Sequence, residues 1–164
     1  MAKRGGNYNN TMQEKMERKK SIRVVYWLFL ILIMLLPASW MGAYWINNIA
    51  LRHYEKKVMS QAEINTDTMI AEVVSGCGNT SGTSNHTELY VGILVKTSLS
   101  EEEVRERYSQ AAQIVKIEDG TVKTSVMSLL NLSFSQSSKE TDEEEYYIIE
   151  YIAPAPCQSD IRGH

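Results

Sequence analysis

Residues Val24 to Ile46 read VVYWLFLILIMLLPASWMGAYWI, and the architecture follows from this stretch. From Val24 onward no Asp, Glu, Lys or Arg occurs until Arg52. A helix rises ~1.5 Å per residue and a bilayer core is ~30 Å thick, so roughly 20 apolar residues suffice to span it. Val24 to Tyr44 meets that length. Tyr26 and Trp27 mark one end, and Trp40, Tyr44 and Trp45 the other, where amphipathic rings favour the headgroup level. Pro37 removes one backbone donor, which membrane helices tolerate at the cost of a modest kink.

Working outward, Lys15, Arg18, Lys19, Lys20 and Arg23 lie immediately before the span. Basic flanks stay on the cytoplasmic side, so the N-terminus is expected inside and everything after the span outside. The rival is a cleaved signal peptide with Val24 to Leu36 as its core. No A-x-A site follows, and an uncleaved signal anchor, type II and single-pass, is the favoured reading. The 164-residue chain carries seven basic and two acidic residues up to Arg23, but ten basic and eighteen acidic from Ile46 onward. An acidic C-terminal region argues against a nucleic-acid surface, which needs clustered Lys and Arg.

The expected organisation is a cytoplasmic, disordered and basic tail over 1–22, the anchor over 23–46 and a helical stalk over 47–74. A Gly/Ser/Asn loop follows over 75–86, then an α+β domain over 87–152 and an irregular tail over 153–164. The stalk rests on Leu51, Tyr54, Val58 and Ala62 at spacings of three and four, resumed by Met69, Ile70, Val73 and Val74 after an Asn65-Thr66-Asp67 interruption. A strand is the alternative for that second piece. Leu51, Tyr54, Val58 and Ala62 form a face that permits self-association.

In the domain, Glu88 to Thr97 (ELYVGILVKT) reads as a central strand, and Ser100-Glu101-Glu102-Glu103 as a capping box opening a helix with Val104 and Tyr108 on its apolar stripe. Ile114 to Ile117 reads as a strand, Asp119-Gly120 as a hairpin turn and Thr121 to Ser128 as its return. Leu130, Leu132 and Phe134 alternate as a further strand, Ser135 to Asp142 reads as a polar turn, and Tyr146 to Ile152 as the last strand. The fold class is α+β: one N-terminal transmembrane helix, a helical stalk, then a small, mostly antiparallel sheet with one packed helix.

Candidate chemistry is sparse. Cys77 and Cys157 flank the sheet in an expected oxidising compartment, so a disulfide between them is anticipated, with two unpaired thiols as the alternative. Gly76, Gly78, Asn79, Gly82 and Asn85 define a loop that either packs on the sheet or contacts a small ligand; it matches neither phosphate-binding glycine pattern. Tyr146, Tyr147 and Tyr151 are interface candidates, with core packing as their ordinary role. His53, His86 and His164 are isolated, no metal or cofactor is implied, and no arrangement of acid, base and nucleophile marks an enzyme.

With GNTSGTSN (Gly78 to Asn85), ELYVGILVKT and SLSEEEVRERY (Ser98 to Tyr108) in view, the chain resembles small uncharacterised single-span membrane proteins of Gram-positive bacteria. The resemblance implies a plasma-membrane location and carries no functional residue. The expected partners are the lipid bilayer and another membrane or envelope protein, in an interaction or structural role; the alternative is an extracytoplasmic domain sensing a small ligand or signal.

Overall fold

The computed structural model describes residues 6–62, 67–82, 86–117, 122–135, 145–158 and 160–163. One helix, α1, runs over Gly6–Ala62 and contains Pro37. It starts well inside the expected disordered tail: once a helix is nucleated, each added residue gains a backbone hydrogen bond even where the side chains contribute little. Within it lies a stretch long and apolar enough to cross a membrane, none of it buried. The chain divides into two compact units, residues 1–41 and 42–164. The first is helix, and no described side chain of its apolar stretch is buried.

The second unit combines the last part of α1 with a four-stranded sheet. Its elements are β1 (Thr68–Gly78), β2 (Glu88–Thr97), α2 (Glu101–Arg107), β3 (Gln113–Lys116), α3 (Ser125–Leu129), β4 (Glu145–Pro154) and a terminal 3-10 turn (Ile161–Gly163). The strand order is β1-β2-β4-β3, and every pairing is antiparallel. This is the expected α+β class, with β2 central and apolar on both faces.

One face of the sheet presents Val91, Ile93, Val95, Tyr147, Ile149 and Tyr151. Tyr54, Val58 and Ala62 of α1 pack against it, joined by Val104 of α2 and by Tyr108. The expected free stalk is therefore packed into the core over residues 51–62. The periodic face that permitted self-association is taken up by the sheet, since burying a Val or Leu side chain stabilises by about 1.5–3 kcal/mol. The other face presents Tyr90, Leu94 and Ile148, covered by Met127 of α3 and by Phe134. Helical cover thus lies on both faces, where one packed helix was expected.

Residues 68–74 form strand rather than stalk helix, and 75–78 form strand rather than loop. The register explains the misleading periodicity. Ile70 pairs with Val95 and Val73 with Ile93, with a bulge between Ile70 and Glu72. The extra residue shifts the phase, so Ile70 and Val73, three apart, both join the α1-facing core while Ala71 and Val74 join the other. A spacing of three in a bulged strand looks helical.

The capping box of α2 is present in full. Ser100 Oγ accepts from the Glu103 amide at 3.4 Å, and Glu103 Oε2 accepts from the Ser100 amide at 2.8 Å. The carboxyl of Glu103 is held below its usual range by the Ser100 hydroxyl and amide. The expected return strand over 121–128 is instead α3, capped by the Thr124 side chain. Leu130 and Leu132 lie in a non-strand segment packed across the sheet, so their alternation reflects cover rather than pairing. The Asp119-Gly120 turn, the 136–142 turn, Asn65 and Thr66 lie outside the described residues. The tail is less irregular than expected, because β4 extends to Pro154 and Ala155 donates its amide to the Thr87 carbonyl at 3.1 Å.

Candidate functional site

The anticipated ligand loop is divided among structural tasks. A Cβ on Gly76 would lie 3.0 Å from a Leu132 methyl, and one on Gly78 would lie 2.8 Å from a Leu130 methyl. Both glycines make room for the 130–132 segment to cross β1. Asn79 folds its own loop: its Oδ1 accepts from the Ser81 amide and hydroxyl, both at 3.1 Å, and from the Gly82 amide at 2.9 Å. Gly82 sits at φ 69°, a conformation that L side chains rarely adopt. Asn85 lies outside the described residues.

Cys77 and Cys157 are not bridged. Cys77 is buried in a small cluster with Leu89 and Ala155, against Ala50 and Leu51 of α1. Burial pushes its thiol up to about 11, partly countered by the Arg162 charge, which leaves it a poor nucleophile at neutral pH. Cys157 is half-buried and its backbone is committed to α1.

Of the three interface candidates, Tyr147 and Tyr151 are buried in the α1-facing core. Burial pushes the Tyr151 phenol up to about 12, with Tyr108 and Tyr54 adding to the shift. Tyr147 donates to Glu145 Oε2 at 2.6 Å, and Glu145 also accepts from Lys116 Nζ at 2.5 Å. Tyr146 keeps exposed area, with the Lys96 ammonium 5.9 Å from its ring centre. Period-two alternation along β4 sets the three faces: Tyr147 and Tyr151, four apart, share the α1-facing side, and Tyr146 takes the other.

Two polar clusters join residues too distant in the chain to be legible in the sequence. The first ties the C-terminal tail to α1 just past the apolar stretch. The fully buried Asn47 donates to the Cys157 carbonyl at 2.8 Å and to Asp160 Oδ2 at 3.0 Å, and it accepts from the Cys157 amide at 3.0 Å. Its carboxamide thus pairs with the tail backbone as a neighbouring strand would. Arg162 forks onto the buried Asp160 through Nε and Nη2, at 3.0 and 2.6 Å, and donates from Nη1 to Asn48 Oδ1 at 2.8 Å. Its guanidinium carbon lies 4.3 Å from the Tyr44 ring centre, a cation–π contact, and its carbonyl accepts from the Asn79 amide at 3.2 Å. Burial alone would raise the Asp160 carboxyl, but the hydrogen bonds from Arg162 and Asn47 outweigh it and hold the group below its usual range. The sequence signal was the Asn47-Asn48 pair at the foot of an apolar run, readable only once a partner for it is known.

The second cluster is a buried carboxylate. Glu150 of β4 is fully buried, and its Oε1 accepts from the Tyr90 hydroxyl at 2.8 Å and from the Thr124 hydroxyl. Gly92, opposite Glu150 in the register, leaves space for Tyr90: a Cβ there would lie 2.6 Å from the Tyr90 hydroxyl oxygen. Thr124 also caps α3 through the Met127 amide, so the cluster fastens α3 to the sheet. A cleft of about 180 Å³ lies at the other end of the α1-facing layer, lined by Gln61, Arg107, Tyr108, Ser109, Gln110 and Tyr151. His53 is exposed and His86 lies 3.2 Å from Glu88, while His164 is outside the described residues. Among the described residues no three His, Cys, Asp or Glu side chains gather as metal ligands would. Comparison of the chain with family models, with curated proteins and with solved structures finds no match.

Proposed function

We propose that the chain is a single-pass protein of the plasma membrane, with a cytoplasmic N-terminus, and that its domain works outside by contacting another membrane or envelope protein. One observation carries the reading: no described side chain of the apolar stretch of α1 over residues 22–35 is buried, and Leu28, Phe29, Leu32 and Leu35 are each 58–60% exposed. An apolar surface of that extent on all sides of a helix needs lipid or protein around it. The basic residues Arg18, Lys19, Lys20 and Arg23 on its N-terminal side support the inward orientation.

A binding role agrees with how the domain uses its polar groups. Asn47, Asp160 and Arg162 hold the tail, Tyr90 and Thr124 hold Glu150, and Asn79 holds its own loop. Tyr146, half-buried against the α3-facing core beside Lys96, is the contact candidate that keeps some exposed area. Sensing through the 75–86 loop gains nothing from this arrangement, because Gly76 and Gly78 are spent on packing.

Topology is tested with Ser109→Cys, an exposed position, in a chain carrying Cys77→Ala and Cys157→Ser. A membrane-impermeant maleimide is expected to label intact cells; labelling only after permeabilisation would overturn the outward orientation. The contact is tested with a photocrosslinking amino acid at Tyr146. A discrete adduct in membranes that disappears with Lys96→Glu supports it, and absence of any adduct at that position removes Tyr146 as the contact.

A further inference from the structure

The cleft of about 180 Å³ at the end of the α1-facing layer is lined by Gln61, Arg107, Tyr108, Ser109, Gln110 and Tyr151. All six belong to the compact unit of residues 42–164. Arg107 is the last residue of α2 and Tyr108 its C-cap, so the helix end delivers a cation and a buried phenol side by side. No carboxylate lines the cleft; its side chains supply one guanidinium, two carboxamides, one aliphatic hydroxyl and two phenols.

Two observations show that these groups are not spent on holding the fold. Arg107 and Asp67 stand 3.7 Å apart, well beyond the roughly 2.7–2.9 Å of a charge-assisted hydrogen bond, and the Asp67 side chain is 61% exposed. Tyr108 and Tyr151 are only 4% and 7% exposed, yet among the described residues neither hydroxyl makes a hydrogen bond. Thr68 lies close enough to oppose the rise of the Tyr108 phenol on burial, but its own hydroxyl is turned to Thr97 at 3.5 Å. Tyr108 and Tyr54 in turn raise the Tyr151 phenol, which places three phenols together. A buried tyrosine hydroxyl ordinarily finds a partner, and here two lack one beside a cation.

We propose that the cleft binds a small carboxylate with a ring-sized body. Arg107 takes the carboxylate in place of Asp67, the Tyr151 hydroxyl donates to it, and the tyrosine rings flank the body. The cleft is larger than the ~150 Å³ that holds benzene and smaller than the roughly 300 Å³ at which drug-sized sites begin. The single positive charge and the absence of a lining carboxylate select an anion over a cation. The site lies wholly within residues 42–164 and stands whether or not the apolar stretch spans a bilayer.

Full-length protein in detergent micelles is titrated calorimetrically with benzoate, with benzamide, a neutral molecule of the same shape, and with inorganic phosphate. Benzoate is expected to bind with a dissociation constant of about 1 mM or tighter, and roughly tenfold tighter than benzamide. Arg107→Met should weaken benzoate by about tenfold and Tyr151→Phe, which keeps the ring, by about threefold. Asp67→Asn, which removes the competing carboxylate, should tighten it by about threefold. Circular dichroism without ligand confirms that each variant is folded. No benzoate binding, equal binding of benzoate and benzamide, or an affinity unchanged by both Arg107→Met and Asp67→Asn would overturn the site. Phosphate that binds as tightly as benzoate would overturn the carboxylate class.

Discussion

Gly92 shows how one missing side chain organises a buried cluster. Its Cα lies where a Cβ would meet the Tyr90 hydroxyl oxygen at 2.6 Å, so Gly92→Ala must push Tyr90 off Glu150. The expected cost is about 1–3 kcal/mol by overpacking, read from denaturant unfolding, and it should shrink in a Tyr90→Phe background, which lacks the clashing oxygen. Asp160 offers a second test through pH. Its carboxyl is depressed on folding by Arg162 and Asn47 against the opposing effect of burial. A depressed carboxyl contributes stability that is present above its unfolded value, about 3.9, and lost as pH falls through the folded one. Wild type should therefore unfold at higher temperature than Asp160→Asn at pH 7, and the gap should close below about pH 4. A gap independent of pH would mean that the Arg162–Asp160 pair does not set the tail's stability. None of these roles is legible in the local sequence. Glu150 sits in YYIIEYI as one polar residue in a strand, and its partners lie 60 and 26 residues away.

At the scale of elements, local signals succeeded where the physics is local. The capping box at Ser100 and Glu103 closes within one helical turn, and both of its bonds are formed. Ser100→Ala is expected to cost about 1 kcal/mol, read as a shift in the unfolding midpoint. β2 was legible because a strand covered on both faces must be apolar throughout. β1 was not, because its bulge breaks the period of two and its Ile70–Val73 spacing imitates a helix. Deleting Ala71, the unpaired residue, should restore plain alternation with Ile70 still opposite Val95 and Val73 opposite Ile93, both on the α1-facing side. Hydrogen exchange at the amides of 68–70 and 73–77 is expected to stay protected in that variant; a roughly tenfold rise confined to 68–70 would mean that the register had slipped instead. α3 was missed for the opposite reason. Five residues make too short a helix to announce itself, and its cap, Thr124, is fixed by Glu150 from another strand.

For the whole molecule, the division at residues 41 and 42 separates two kinds of stability. Residues 42–164 bury their own core between α1, the sheet and the α3 layer, whereas the exposed apolar stretch before them has no core to join. A chain beginning at Gly42 is expected to fold and stay in solution without detergent, with full-length protein requiring detergent or lipid; size-exclusion chromatography with circular dichroism checks both. Sequence alone determined the apolar helix, its basic flank, the central strand, the capped helix and the α+β class. Each of these depends on composition or on contacts within a few residues. Tertiary structure alone decided that residues 51–62 pack into the core, that Tyr147 and Tyr151 are buried in it, and that the cysteines are unbridged. It also decided that the tail closes on Asn47 across 110 residues. The physical reason is common to all four: burial and hydrogen-bond pairing depend on which distant surface arrives, and periodicity along the chain shows that a face will be covered without saying by what.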